Sequence, residues 1–137
     1  MSLALAGCGL LPIACTDAGC ESGVRFSLDQ DLVAETEYRV VACVDDECAE
    51  GVLEVPPPDD GPFTGVSDGP ISLFVDTDSV FYSLDQLQLP GAHHVSLTVH
   101  GPGDELLAEW EGTPEFERTL PNGPNCEPTC WLAEVLV

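Results

Sequence analysis

Seven cysteines carry most of the reactive chemistry of this chain, and six of them fall into three close pairs. The paired residues are separated by four, four and three intervening positions. An even set at such short spacings is typical of a disulfide framework in an exported protein. We therefore predict that the following residues form disulfides: Cys15, Cys20, Cys43, Cys48, Cys126 and Cys130.

The connectivity of six cysteines has fifteen solutions, and we favour pairing within each close pair. The clearest case is Cys43 and Cys48, which flank the turn 44–47, where a cross-strand bridge would close a hairpin. A four-cysteine zinc site is the rival interpretation, but most zinc knuckles separate their cysteines by two residues. An oxidising compartment also disfavours free thiolates, so no metal site is expected.

The seventh cysteine, Cys8, follows a small-residue pair in Leu5-Ala6-Gly7-Cys8. This tetrapeptide resembles the lipobox of bacterial lipoproteins, which implies that Cys8 is diacylated and begins the mature protein. Two acyl chains hold a protein stably on a bilayer. Only seven residues precede Cys8 and none is charged, so we interpret the start as a truncated signal. The alternative is an apolar N-terminal strand with Cys8 as a buried thiol.

Residues 65–69 match the Gly-x-Ser-x-Gly pattern of a hydrolase nucleophile elbow. The elbow works only at a sharp turn between a buried strand and a helix. Here a Pro/Asp/Gly-rich stretch precedes the motif and Gly69-Pro70 ends it. We therefore expect a loop without a catalytic role.

Histidines and paired carboxylates offer the remaining polar chemistry. We expect His93, His94 and His100 to be surface residues, since His94 and His100 on one strand would lie about 20 Å apart. The pairs Asp29/Asp31 and Asp76/Asp78 could share a cation in a loop, although no full calcium-binding motif is present. A plain acidic turn is the favoured interpretation of both pairs. Trp110 and Trp131 sit in apolar alternation, which favours core packing over ligand binding.

The charge of the chain excludes several partners. It has 25 acidic residues, three arginines and no lysine, giving a formal net charge of −22. Such a field repels nucleic-acid backbones and anionic lipid surfaces, so membrane attachment would need a lipid or a transmembrane helix. The sequence has no stretch of eighteen apolar residues, which favours the lipid on Cys8. A soluble acidic surface is the favoured explanation. A high-salt habitat and a surface for cationic partners remain alternatives.

Alternating apolar residues between Pro- and Gly-rich turns predict an all-β fold, and no segment shows helical periodicity. We expect an immunoglobulin- or fibronectin-like β-sandwich of seven to nine short antiparallel strands. Residues 1–14 are interpreted as the signal remnant, lipobox and tether, and 15–137 as one domain. Within it, halves 15–55 and 63–137 are joined by the proline-rich connector 56–62.

An internal repeat relates the two halves. Phe26–Gln30 reads FSLDQ and Tyr82–Gln86 reads YSLDQ, and each is followed by an alternating strand and a hairpin. Duplication of a strand-strand-hairpin unit would explain the match. Reuse of the same residues by unrelated strands is the alternative.

The cysteine motifs carry a second resemblance. They are the hexapeptide from Cys15 to Cys20 before a Ser-Gly-Val strand, the hairpin pair Cys43/Cys48, and the segment from Pro121 to Cys130. Together they look like small lipoproteins of high-GC Gram-positive bacteria such as actinobacteria. The resemblance spans nearly the whole chain, is loose between the cysteines and implies no activity.

These features predict a non-enzymatic lipoprotein on the outer face of the cell membrane. Its sandwich is expected to bind another protein or a cell-wall component, without a cofactor. An accessory subunit of an envelope enzyme or transporter is the alternative. A cation-dependent hydrolase is the least favoured interpretation.

Overall fold

A computed structural model describes residues 20–57, 64–68, 71–84, 91–120 and 129–137. These residues form ten β-strands and no helix, which confirms the all-β prediction with one strand more than the upper expected number. The strands are β1 (Gly23–Ser27), β2 (Glu37–Val44), β3 (Glu47–Glu54), β4 (Thr64–Asp68), β5 (Ile71–Val75), β6 (Ser79–Leu84), β7 (Val95–His100), β8 (Leu106–Gly112), β9 (Glu117–Thr119) and β10 (Cys130–Leu136).

The strands form two packed sheets. The larger has the order β4-β5-β6-β1-β10-β9 and the smaller has the order β3-β2-β7-β8. Every neighbouring pair is antiparallel except β1 and β10, which run parallel. The expectation of antiparallel pairing throughout is therefore wrong at this one position, because β1 and β10 are far apart in sequence and no hairpin joins them.

Period-two alternation places the apolar side chains between the sheets. Along β7, Val95, Leu97 and Val99 are buried, while the intervening residues are partly exposed. Each fully buried aliphatic side chain of this kind contributes about 1.5–3 kcal/mol. Trp110 and Trp131 pack against the same core, as predicted.

The two halves of the internal repeat lie side by side. β1 pairs with β6 in one sheet, and β2 pairs with β7 in the other, both antiparallel. β3 and β8 then flank the β2–β7 pair. This arrangement accommodates a duplicated unit, and common ancestry of the halves stays a prediction. Residues 58–62 of the proposed connector lie outside the described residues.

The Cys20–Cys130 disulfide corrects the predicted connectivity. It spans 110 positions and joins the segment before β1 to the first residue of β10. Pairing of Cys20 with Cys15 and of Cys130 with Cys126 is therefore wrong. The parallel pairing of β1 with β10 brings the distant cysteines together. The spacing of cysteines along the sequence does not predict such a pairing.

The second disulfide, Cys43–Cys48, confirms the predicted cross-strand bridge. The two residues are direct partners in the β2–β3 register, with Cα atoms 4.0 Å apart. Cys8, Cys15 and Cys126 lie outside the described residues, so lipidation of the first and disulfide formation by the other two stay predictions.

The sandwich has two ends, which we name the disulfide end and the loop end. The disulfide end holds the Cys20–Cys130 bond and the β2–β3 turn 45–46. The loop end holds segment 28–36 and the turns 76–78 and 101–105. β1 and β10 both begin at the disulfide end and run towards the loop end.

Tyr82 links the two sheets near the disulfide end. Its fully buried side chain starts on β6 and its hydroxyl donates a 2.6 Å hydrogen bond to the Glu47 carbonyl at the start of β3. Burial raises the pKa of Tyr82 well above its ordinary value, so the hydroxyl stays protonated and remains a donor. The bond fixes the position of the β2–β3 turn above the larger sheet.

Removal of the two disulfides should destabilise the fold unequally. In the chain-entropy treatment, the loss for the Cys20→Ser/Cys130→Ser double variant is about 4–5 kcal/mol, because the bond closes a loop of more than one hundred residues. The Cys43–Cys48 bond closes a far smaller loop, so the Cys43→Ser/Cys48→Ser variant should lose only about 2 kcal/mol. Denaturant unfolding of both variants measures the difference. Equal losses of unfolding free energy in the two variants would contradict the larger contribution assigned to the Cys20–Cys130 bond.

Replacing Tyr82 by phenylalanine tests the link between the sheets. Tyr82→Phe keeps the ring and deletes the donor to Glu47, so we expect a loss of about 1 kcal/mol in the free energy of unfolding. Denaturant unfolding at neutral pH measures it. Unchanged stability would show that the hydrogen bond contributes nothing to holding the sheets together.

Candidate functional site

The loop end collects the two predicted carboxylate pairs. Leu28 N–H donates to the Asp78 carbonyl at 2.9 Å, and Leu32 N–H donates to the Thr77 carbonyl at 2.6 Å. These backbone bonds fasten segment 28–36 to the turn 76–78. Asp29/Asp31 and Asp76/Asp78, which are distant in sequence, therefore lie at the same end of the sandwich.

Most of the carboxylates at the loop end are exposed. Asp29, Asp31 and Asp78 are exposed, and Asp76 uses Oδ1 to accept the Thr77 N–H at 2.7 Å. Across the described residues, no group of three or more His, Cys, Asp or Glu side chains is arranged to hold a metal ion. The loop end is an electrostatically negative surface that attracts cationic groups.

One arginine partly offsets the charge at the loop end. Arg39 Nη2 on β2 lies 2.8 Å from Asp104 Oδ1 in the β7–β8 turn. Both side chains are largely exposed, so this ion pair contributes at most about 1 kcal/mol. Its main effect is to orient the turn beside the smaller sheet.

A histidine-carboxylate cluster occupies the disulfide end. His93 Nδ1 lies 2.7 Å from Asp45 Oδ2, and the His94 backbone N–H donates to Asp45 Oδ1 at 3.2 Å. The Asp45 backbone N–H donates a 2.7 Å hydrogen bond to the His94 carbonyl. His94 Nε2 also lies 2.8 Å from Glu111 Oε2, and His93 packs edge-on against Phe116.

Asp45 organises this cluster through its backbone as well as its side chain. It adopts a left-handed conformation with φ of 53°, which aspartate tolerates better than most residues. The His93 hydrogen bond is the main cause that lowers the pKa of Asp45 below its ordinary value, and desolvation by burial, the next largest cause, acts in the opposite direction. The ionised carboxylate therefore fastens the β2–β3 turn to the segment that leads into β7.

Sequence spacing did not reveal this cluster. His93 and His94 precede β7, and both contact Asp45. Asp45 is 48 positions from His93, and no local pattern links them. His100 ends β7, and its Nδ1 atom is buried without a hydrogen-bond partner among the described residues.

The Gly-x-Ser-x-Gly motif lies on a strand. Residues 65–68 belong to β4, so the predicted loop is wrong at these positions, and Gly69 lies outside the described residues. Ser67 Oγ lies 3.0 Å from Ser72 Oγ on β5. β4 forms an antiparallel pair with β5, and this setting lacks the strand-to-helix turn that exposes a nucleophile.

The fold and its sites define the chain as a disulfide-bonded, all-β sandwich with a strongly acidic surface. No known protein family, curated protein or solved structure matches the chain significantly. Within the described ranges, no helix is long and apolar enough to cross a bilayer.

The Asp45–His93 contact predicts a pH-dependent stability. A carboxyl whose folded pKa is lowered stabilises the fold above its unfolded pKa, near 3.8, and loses that contribution as the pH falls through the folded pKa. Asp45→Asn should therefore lower the melting temperature at pH 7, and its difference from the wild type should shrink as the pH falls below 3.8. Asp46→Asn, in the same turn, is the matched control. A pH-independent difference between Asp45→Asn and wild type would refute the ionic contribution.

Proposed function

We propose that this protein is a non-enzymatic lipoprotein on the outer face of a bacterial cell membrane, where its sandwich binds another protein or a cell-wall component. The observation that carries the proposal is the Cys20–Cys130 disulfide, which joins residues 110 positions apart. Stable structural disulfides belong to oxidising compartments outside the cytosol. A second disulfide, Cys43–Cys48, supports the same location outside the cytosol.

The geometry of the chain suits a tethered binding module. Cys20 lies at the disulfide end and follows Cys8 by twelve positions. A chain of that length reaches at most about 40 Å. Acylation of Cys8 would therefore keep the disulfide end within about 40 Å of the bilayer.

The charge of the domain indicates the chemistry of its ligand. A net charge of −22 repels anionic lipid headgroups and keeps the sandwich off the membrane surface. The exposed carboxylates of the loop end attract cationic groups. We therefore propose that the ligand presents basic side chains or amino groups.

Acylation and location can be tested in the native host. Cells expressing the natural gene are labelled with a palmitate analogue, and the membrane fraction is analysed by mass spectrometry. We expect acylated Cys8 as the mature N-terminus, and release of the protein from the membrane in a Cys8→Ser variant. Cys43→Ser/Cys48→Ser is the control that should keep the lipid. An unmodified Cys8 in a cytosolic protein would overturn the proposal.

A further inference from the structure

β8 is a free edge of the smaller sheet. It pairs with β7 on one side and has no strand on the other side among the described residues. The strand carries no proline and no lysine, which are two of the several features that block an edge. Its exposed residues include Glu109 and Glu111.

The register shows which backbone groups of β8 are unpaired. The Cα atoms of Cys43 and Cys48 are only 4.0 Å apart, which identifies a non-hydrogen-bonded pair of β2 and β3. Cys43 therefore directs its backbone groups towards Ser96 on β7. The Asp45 N–H, two positions later, follows this rule and donates to the His94 carbonyl.

The same alternation continues across β7. Because Ser96 faces β2, Leu97 directs its N–H and C=O towards Trp110 on β8. Glu109 and Glu111, on either side of Trp110, must then direct their backbone groups to the free edge. No described residue bonds these groups, so they form a template for an added strand.

The side chains of the same two residues determine what can pair there. Glu109 and Glu111 lie on the outer face of the sheet, opposite Thr98 and Ser96. These four side chains help to line an open depression of about 420 Å³, which has room for long flexible side chains above the strand. Glu111 also contacts His94, and both glutamates are exposed.

A second copy of this chain does not fit the edge. Antiparallel pairing of two β8 strands would bring glutamates together across the new ladder, and opposed like charges are destabilising. The chain has only three basic residues, Arg25, Arg39 and Arg118, and they lie on three different strands. No strand of this chain therefore offers alternating cations, and the complementary strand must belong to another protein.

We propose that β8 binds an extended segment of a partner protein, which adds as an antiparallel strand and places Lys or Arg opposite Glu109 and Glu111. The proposal rests on the binding role proposed above and is independent of acylation at Cys8. Main-chain hydrogen bonds supply affinity, and the two carboxylates select a basic partner.

Backbone methylation of a synthetic peptide tests the pairing directly. The probe is a short peptide of alternating Lys and Thr, titrated by NMR into the folded domain. In the proposed register, the N–H groups of the lysines bond to β8 and those of the threonines point away. N-methylation of the lysines should abolish binding, and N-methylation of the threonines should preserve it. Binding should also slow hydrogen exchange of the Glu109 and Glu111 amides.

Charge-neutralising variants test the role of the carboxylates. Glu109→Gln/Glu111→Gln should weaken peptide binding about two- to thirtyfold, from two cross-strand pairs of about 0.2–1 kcal/mol each. Glu37→Gln/Glu50→Gln removes the same charge from β2 and β3 and should change affinity less than about twofold.

Three outcomes would overturn the inference. They are equal binding of the two methylated peptides, equal weakening by the two double variants, and unchanged exchange at Glu109 and Glu111. If any of them is observed with a protein that is acylated at Cys8, strand addition at β8 is ruled out and the proposed membrane location is unaffected.

Discussion

The parallel pairing of β1 with β10, fastened by the Cys20–Cys130 disulfide, is the constraint on which the rest of the fold depends. The pair lies inside the larger sheet, with β6 on one side and β9 on the other. Parallel strands require a long connection, and here that connection is nearly the whole domain. The disulfide limits the freedom of the unfolded chain across that same length. The core strands β2 and β7 can therefore pack against a larger sheet in which the first and last strands, β1 and β10, are already held together.

Repulsion among the many carboxylates opposes the compact fold. The positions of these carboxylates show how the fold tolerates the repulsion. Most carboxylates lie on exposed positions of strands and turns, where water screens their repulsion. Two of the carboxylates with specific partners sit at turns, Asp45 with His93 and Asp104 with Arg39, whereas Glu111 and Glu134, which also have partners, lie on strands. The contacts of Asp45 and Asp104 fix their turns, while the remaining carboxylates give the exposed surface its negative charge.

The alternation of apolar residues was enough to predict the strands and the sandwich class. Val95, Leu97 and Val99 show the reason, since a period of two in a strand directs every second side chain inwards and all three are buried. The Cys43–Cys48 bridge was also predictable, because a hairpin turn brings sequence neighbours into register. β4 was missed because its Gly- and Ser-containing sequence has the composition of a loop. The Phe74 ring on β5 lies over Gly65 and shields this edge strand.

Sequence by itself determined the local features of this protein: its strands, its tight hairpin, its acidic surface and the set of cysteines available for oxidation. All of these depend on residue type or on neighbours a few positions apart. Tertiary structure alone decided which cysteine joins Cys20, which carboxylate meets His93 and which strands lie at the edges of the sheets. Each of those outcomes depends on the order and direction of strands in the sheets. That order is set by the packing of residues far apart in the chain, which short-range patterns do not encode.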